Sequence, residues 1–197
     1  MARERATDTT ALVAAAAKTF REKGYRNSTI DDIAIAAGIS RPTVYKYTRT
    51  KQHLLDLMVE EVTGDLGRKL AEILDSDAEP VSRLHEFIKA HIAATSTNRT
   101  FYAIVFSEET ELSDESRKYF RSWAHKRTQE LRELLDECVA ARSQRNGDPR
   151  LDTRIAANLL ESMLASMYRW YEPTGDTSPE QLAEQIWLLI GAALGPA

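Results

Sequence analysis

Cysteine is nearly absent. The chain of 197 residues holds one, Cys138, so no disulfide can form within it and a reducing compartment is expected. No run of about 18 apolar residues occurs, which leaves nothing to cross a membrane as a helix. Residues 1–18, MARERATDTTALVAAAAK, lack the apolar core of a signal peptide, and a cytoplasmic location is expected. Four histidines (His53, His85, His91, His125) fall at no metal-ligand spacing. Neither a glycine-rich phosphate loop nor a nucleophile motif appears, so no metal or cofactor is expected and catalysis is disfavoured. The carboxylates Glu108, Glu109 and Glu111 read as a solvated loop rather than an acid–base pair. No segment alternates polar and apolar residues, so no strands are expected.

A basic excess is also missing from the chain as a whole. The net charge is −4, yet the sign is divided. Residues 1–55 carry ten Lys and Arg against five Asp and Glu, a balance of +5 that leaves −9 on the rest. A basic end on an acidic body suggests two tasks in one chain.

What is present is helical periodicity almost throughout. Leu12, Val13, Ala16, Ala17 and Phe20 make one apolar face of a helix from about Thr10 to Lys23, closed by Gly24. A second helix starts near Ser28 or Thr29, with Asp31 and Asp32 at the positive end of its dipole, and stops at Gly38. A third, from about Arg41 to Tyr47, opens with Ser40 as cap and Pro42 in the first turn. Two short helices joined by a tight glycine turn make a helix-turn-helix. Val44 is the inward anchor of the third helix, and its other faces are Arg41, Thr43, Tyr45, Lys46 and Tyr47. So little apolar surface suits a helix whose polar face meets something other than water. Longer helices follow: 51–74, a run from Val81, 113–141, 151–171 and a last one opened by Ser178-Pro179-Glu180-Gln181. The segment 99–106 fits strand or buried helix, with helix preferred; 75–80 and 143–150 read as linker and loop.

Residues 12–55, LVAAAAKTFREKGYRNSTIDDIAIAAGISRPTVYKYTRTKQHLL, resemble the TetR family of transcriptional regulators. Phe20, Gly24, Tyr25, Thr29, Ile33, Ala34, Gly38, Ser40, Tyr45, Lys51 and Leu54 stand at the places of the family pattern. Thr48 replaces the usual Phe, expected to loosen the packing of the third helix on the fourth, and Pro42 replaces a frequent Gly, stiffening the helix start. The resemblance implies an all-α homodimer. Residues 1–52 would be a three-helix helix-turn-helix DNA-binding domain, and residues 53–197 a helical ligand-binding and dimerisation domain. Residues 168–194, YRWYEPTGDTSPEQLAEQIWLLIGAAL, are similar to a subgroup that includes repressors of lipid and sterol breakdown responding to acyl-CoA thioesters.

The expected partners are double-stranded DNA with a palindromic operator, a small-molecule effector and a second copy of the chain. The second helix of a helix-turn-helix enters the major groove by its N-terminal end, which makes Thr29, Ser40, Arg41, Pro42, Thr43, Tyr45, Lys46, Tyr47 and Lys51 the candidate DNA-contacting residues. Arg41 can offer two parallel donors to a guanine, and Thr43 can meet a thymine methyl or a base edge. Tyr45 and Lys46 reach base or backbone. Tyr47, Lys51 and Thr29 match family positions that hold phosphates. Arg3 and Arg5, in an expected mobile arm, add phosphate or minor-groove contacts. Dimerisation is expected from the last two helices through Leu159, Met163, Trp187 and Ile190, with Ala156, Ala157 and Gly191 allowing close approach.

The ligand-pocket candidates are Phe87, His91, Tyr102, Phe106, Glu109, Trp123, Met163, Met167, Trp170 and Tyr171, aromatic, sulfur and polar groups on apolar helix faces; each also fits plain core packing. A helical small-molecule binder without specific DNA recognition and, less favoured, an enzyme remain the alternative readings.

Overall fold

Capping chemistry sets the N-terminal helices. The computed structural model describes the backbone of residues 2–146 and 151–194 and the side chains of 9–141 and 151–191. Helix α1 spans Ala2–Lys23 and α2 spans Ile30–Ala37. Thr29 caps α2 reciprocally: its Oγ1 accepts from Asp32 N at 3.1 Å while Asp32 Oδ2 accepts from Thr29 N at 2.9 Å. Gly38 ends α2 in the left-handed region, φ +66°, where a side chain would be strained. Ser40 then caps α3, Arg41–Val44.

Two expectations change here. The third helix is shorter than Arg41–Tyr47, because Lys46 N and Tyr47 N bond back three residues, to Thr43 O (3.1 Å) and Val44 O (2.9 Å), which tightens the chain into a turn. Nor is the segment with Arg3 and Arg5 an arm: its backbone forms the first turns of α1, although those two side chains lie outside the described residues.

Six more helices follow: α4 Lys51–Leu74, α5 Pro80–Thr97, α6 Arg99–Ser107, α7 Asp114–Asn146, α8 Thr153–Ser166 and α9 Pro179–Leu194, with 3-10 turns at Glu109–Glu111 and Met167–Arg169. Strands do not occur among the described residues. The ambiguous 99–106 segment is helical, and residues expected in the 143–150 loop extend α7 to Asn146, the remainder lying outside the described residues. Ser178 and Gln181 form the anticipated capping box of α9, with Ser178 N to Gln181 Oε1 at 2.8 Å and Gln181 N to Ser178 Oγ at 3.2 Å.

The chain divides into two compact units, residues 1–63 with 99–120 and residues 64–98 with 121–197. The first packs Leu12, Phe20, Ile33, Val44, Leu54, Leu55, Met58, Tyr102 and Val105 into its interior. Thr48 is buried there without a vacancy around its hydroxyl, which donates to Thr50 O at 2.9 Å and meets His53 Nδ1 at 3.1 Å. The second unit buries Leu70, Leu84, Phe87, Ile88, Leu131, Leu135, Leu160, Leu164 and Ile186 in one core. Cys138 sits in that core, where burial and then the Glu137 carboxylate push its thiol up to about 12, leaving it unreactive filling.

Candidate nucleic-acid interface and interior polar cluster

Helix α3 owes its position to three contacts. Val44 plugs the core of the first unit with no exposed surface. Ser40 Oγ accepts from Thr43 N at 3.3 Å and lies 2.8 Å from Thr43 Oγ1. Pro42 occupies the first turn, where amides have no helical partner. Along the helix and the turn after it, Arg41, Pro42, Tyr45 and Lys46 are exposed, and Thr43 and Tyr47 are half-buried. The structure thus brings six of the nine expected DNA-contacting residues onto one short surface, with Ser40 and Thr29 at the two capped helix starts.

Arg41 is held ready rather than loose. Its Nη1 donates to Asp31 Oδ2 at 3.0 Å and its Nη2 to Tyr45 Oη at 3.3 Å. The Tyr45 hydrogen bond, and after it the Asp31 charge, raise the guanidinium pKa further. Both partners are exposed, so the pair is weak in water and exchangeable for a base edge. Next to it, Asp32 is pulled down to about 2, first by Lys23 Nζ at 2.5 Å and then by Thr29. An open hollow of about 430 Å³ follows α3, lined by Tyr45, Lys46, Tyr47, Arg49 and His53 among others.

Lys51, expected to hold a phosphate, is engaged within the first unit. Its ammonium donates to three backbone carbonyls, Tyr25 O (2.7 Å), Ser28 O (2.7 Å) and Arg26 O (3.2 Å), and lies 4.8 Å from the Tyr25 ring centre. An ammonium has three donors, so Lys51 clamps the α1–α2 connection to the start of α4.

The pocket candidates divide between the two units. Tyr102, Phe106 and Glu109 belong to the first, where Tyr102 Oη donates to Val62 O at 3.2 Å and Phe106 packs edge-on against Phe120. The other seven belong to the second. Phe87, Met167 and Tyr171 are closed into its core, and Tyr171 Oη donates to Thr177 O at 2.9 Å. Trp170 is 57% exposed. Met163 is half-buried against the core.

His91 and Trp123 have ionisable neighbours that periodicity did not single out. His91, buried on α5, has Nε2 3.6 Å from Glu161 Oε2 of α8, beyond hydrogen-bond reach, and Nδ1 3.5 Å from Thr95 Oγ1. On α7, Arg127 lies over the Trp123 ring at 5.9 Å, with Nη2 2.5 Å from Glu130 Oε2. The Arg127 side chain is 4% exposed, and its Nε and Nη1 have no hydrogen-bond partner, nor does Glu161 Oε1. Elsewhere in the second unit, a surface groove of about 480 Å³ runs past Lys69, Ile73, Arg83, Ala90 and Ala183. None of the expected pocket residues lines it. Among the described residues, no group of three or more His, Cys, Asp or Glu could hold a metal ion, and no helix is long and apolar enough to cross a membrane.

Comparison with known proteins identifies the architecture. Residues 12–58 match the bacterial regulatory proteins of the tetR family, and residues 77–194 match the tetracyclin repressor-like C-terminal domain. The chain belongs to the TetR family. Among its relatives, the HTH-type transcriptional repressor KstR2 of Mycolicibacterium smegmatis is 26% identical over 180 residues, 91% of this chain and 86% of that one. The TetR family transcriptional regulator PfmR from Thermus thermophilus superposes with a TM-score of 0.82 at 26% identity, covering 94% of this chain and 99% of its own. AibR, solved in complex with isovaleryl coenzyme A and operator DNA, shares the fold with a TM-score of 0.75 at 21% identity over 96% of this chain and all of its own. This TetR-family chain is therefore a helix-turn-helix, DNA-binding transcriptional regulator.

Within the TetR frame, sequence reading grouped the residues that the structure exposes on and just after α3 but missed Asp31 as the partner of Arg41, and Arg127 and Glu161 in the second unit. Asp31 was legible only as a helix-dipole acid. Arg127 and Glu161 look like ordinary charges on long amphipathic helices until packing shows which way they face.

Proposed function

We propose that the protein is a cytoplasmic repressor that binds a palindromic operator as a homodimer and is released by a small, largely apolar effector. Residues 1–52 bind DNA and residues 53–197 bind the effector and the second copy. The reading rests on α3 and the turn after it: a capped four-residue helix with one buried side chain, and an outward surface of Arg41 and Thr43 continued by Tyr45 and Lys46. Its amino-terminal half enters the major groove, Arg41 leaves Asp31 for a guanine edge, and Thr43 meets a neighbouring base. Lys46 and Tyr47 take phosphates, as do the amides at the Thr29-capped start of α2.

One such helix reads only a few base pairs, and a symmetric pair reads both halves of a palindrome. Support for the pair comes from apolar side chains left in water on the last two helices: Ile155 and Leu159 on α8, the latter 66% exposed, and Leu188 and Leu189 on α9, the latter 71% exposed. Support for a coenzyme A thioester as effector comes from AibR, whose complex holds isovaleryl coenzyme A together with operator DNA. Release follows if the effector prefers a dimer geometry in which the two α3 helices no longer match the half-site spacing.

Selection of bound sequences from a random duplex pool tests the proposal, followed by titration of the selected site against salt. The expected outcome is a palindrome, bound with affinity that falls steeply as salt rises, and lost by about 100-fold or more in Arg41→Ala/Lys46→Ala while the dimer stays folded. Enrichment of no sequence would instead favour a helical ligand binder without specific DNA recognition.

A further inference from the structure

We propose that the interior of the second unit is a binding site for an apolar molecule bearing a carbonyl or carboxylate oxygen, which Arg127 receives. This rests on the reading of residues 53–197 as the effector domain, and it names the chemistry that domain recognises. Arg127 projects from α7 one turn from Trp123 on one side and one turn from Leu131, a core residue, on the other. Its guanidinium is enclosed, lies over the Trp123 ring and has Glu130 beside Nη2. Nε and Nη1 together carry three N–H donors, and none has a hydrogen-bond partner. Even the Glu130 approach, at 2.5 Å, leaves Oε2 outside hydrogen-bond alignment.

A fold gains nothing from such an arrangement by itself. A buried donor without a partner costs more than an ordinary hydrogen bond contributes, and buried ion pairs are often matched or bettered by apolar residues of similar size. The arrangement makes sense if a ligand oxygen completes it. Glu130 already offsets the guanidinium charge, so what is lacking is acceptors rather than another full charge. An uncharged carbonyl supplies one, and a carboxylate supplies two. The apolar part of the ligand meets Trp123, over whose ring the guanidinium lies. Glu161 Oε1 on α8 is another buried atom of the second unit without a hydrogen-bond partner.

The test uses the full chain and calorimetric titration with decanoate, decanamide and 1-decanol. Decanoate and decanamide should bind the wild type, and decanol, which has no carbonyl, should bind about tenfold or more weakly. Arg127→Met should lose decanoate and decanamide binding by about tenfold or more; it also strands the Glu130 carboxylate, so its unfolding temperature should fall, and binding is compared at a temperature where both proteins are folded. Arg127→Lys should retain part of the decanoate affinity and lose decanamide. Equal decanoate affinity in Arg127→Met overturns the proposal; if that variant does not fold, equal decanoate and decanamide affinities in Arg127→Lys overturn it. Failure of the wild type to bind any probe also overturns it and assigns the donors to water only. Operator binding is followed separately by anisotropy. Arg127-dependent binding that leaves DNA affinity unchanged refutes the effector reading and keeps this site. A compound that releases DNA equally from wild type and Arg127→Met refutes this site and keeps the effector reading.

Discussion

Helices α3 and α5 are made of the same chain by opposite means. The first buries Val44 alone and is held by a hydroxyl cap and a proline in its first turn. The second buries Leu84, Phe87, Ile88, Ala90, His91, Ile92 and Thr95 and has no side-chain cap. Local polar chemistry fixes one, and packing fixes the other. An element held by caps leaves its outer face available for recognition, whereas an element held by packing has its side chains committed to neighbours. The difference should appear directly in substitutions.

The largest effect is expected inside. Phe87→Ala should cost about 3–5 kcal/mol through lost burial and the cavity left behind, measured by denaturant unfolding. A cost below about 1 kcal/mol would mean that α5 is not held by packing. Lys51→Met comes next, at about 1.5–3 kcal/mol, since it strands three carbonyls at the α1–α2 connection. A residue that only held phosphate would instead weaken DNA binding and its salt dependence with no change in the unfolding midpoint. Thr29→Ala should cost about 1 kcal/mol through the lost cap, and a full-length hydrogen-exchange profile should place the loosening at the start of α2.

The smallest effect depends on pH. The Asp32 carboxyl is held at about 2 against 3.8 unperturbed, by Lys23 first and Thr29 second. A lowered folded-state value means the ionised form stabilises the fold above the unfolded value. That contribution is whole above about pH 4 and disappears as the pH falls through about 2. The stability gap between wild type and Asp32→Asn, followed by urea titration at stepped pH, should narrow over that window; a constant gap would show that the ionised carboxylate contributes nothing to the cap.

The same contrast explains what was legible beforehand. Gly38, Thr29 with Asp32, and Ser178 with Gln181 announce their structures because cap and turn chemistry acts within a few residues. The end of α3 was overread because helical periodicity continues through Tyr45–Tyr47 while the hydrogen bonds shorten to three-residue steps. The bonds of Lys51 to the α1–α2 connection were not legible because its acceptors lie 23 to 26 positions away along the chain, and a lysine at a helix start looks solvated. The ligand candidates were the least legible, since aromatic and sulfur side chains on apolar faces have one signature whether they line a space or fill it. Phe87 and Met167 fill. Trp170 is exposed, and the unpartnered nitrogens of Arg127 became visible only in three dimensions.

If α3 and the turn after it read DNA as proposed, they form an interchangeable reading head, because Val44 is the one side chain of α3 that is buried. On that reading, exchanges at 41, 43 and 46 would redirect the protein to new promoters without compensating changes in its interior, and duplicated copies of the gene would be free to diverge in target while inheriting an intact scaffold.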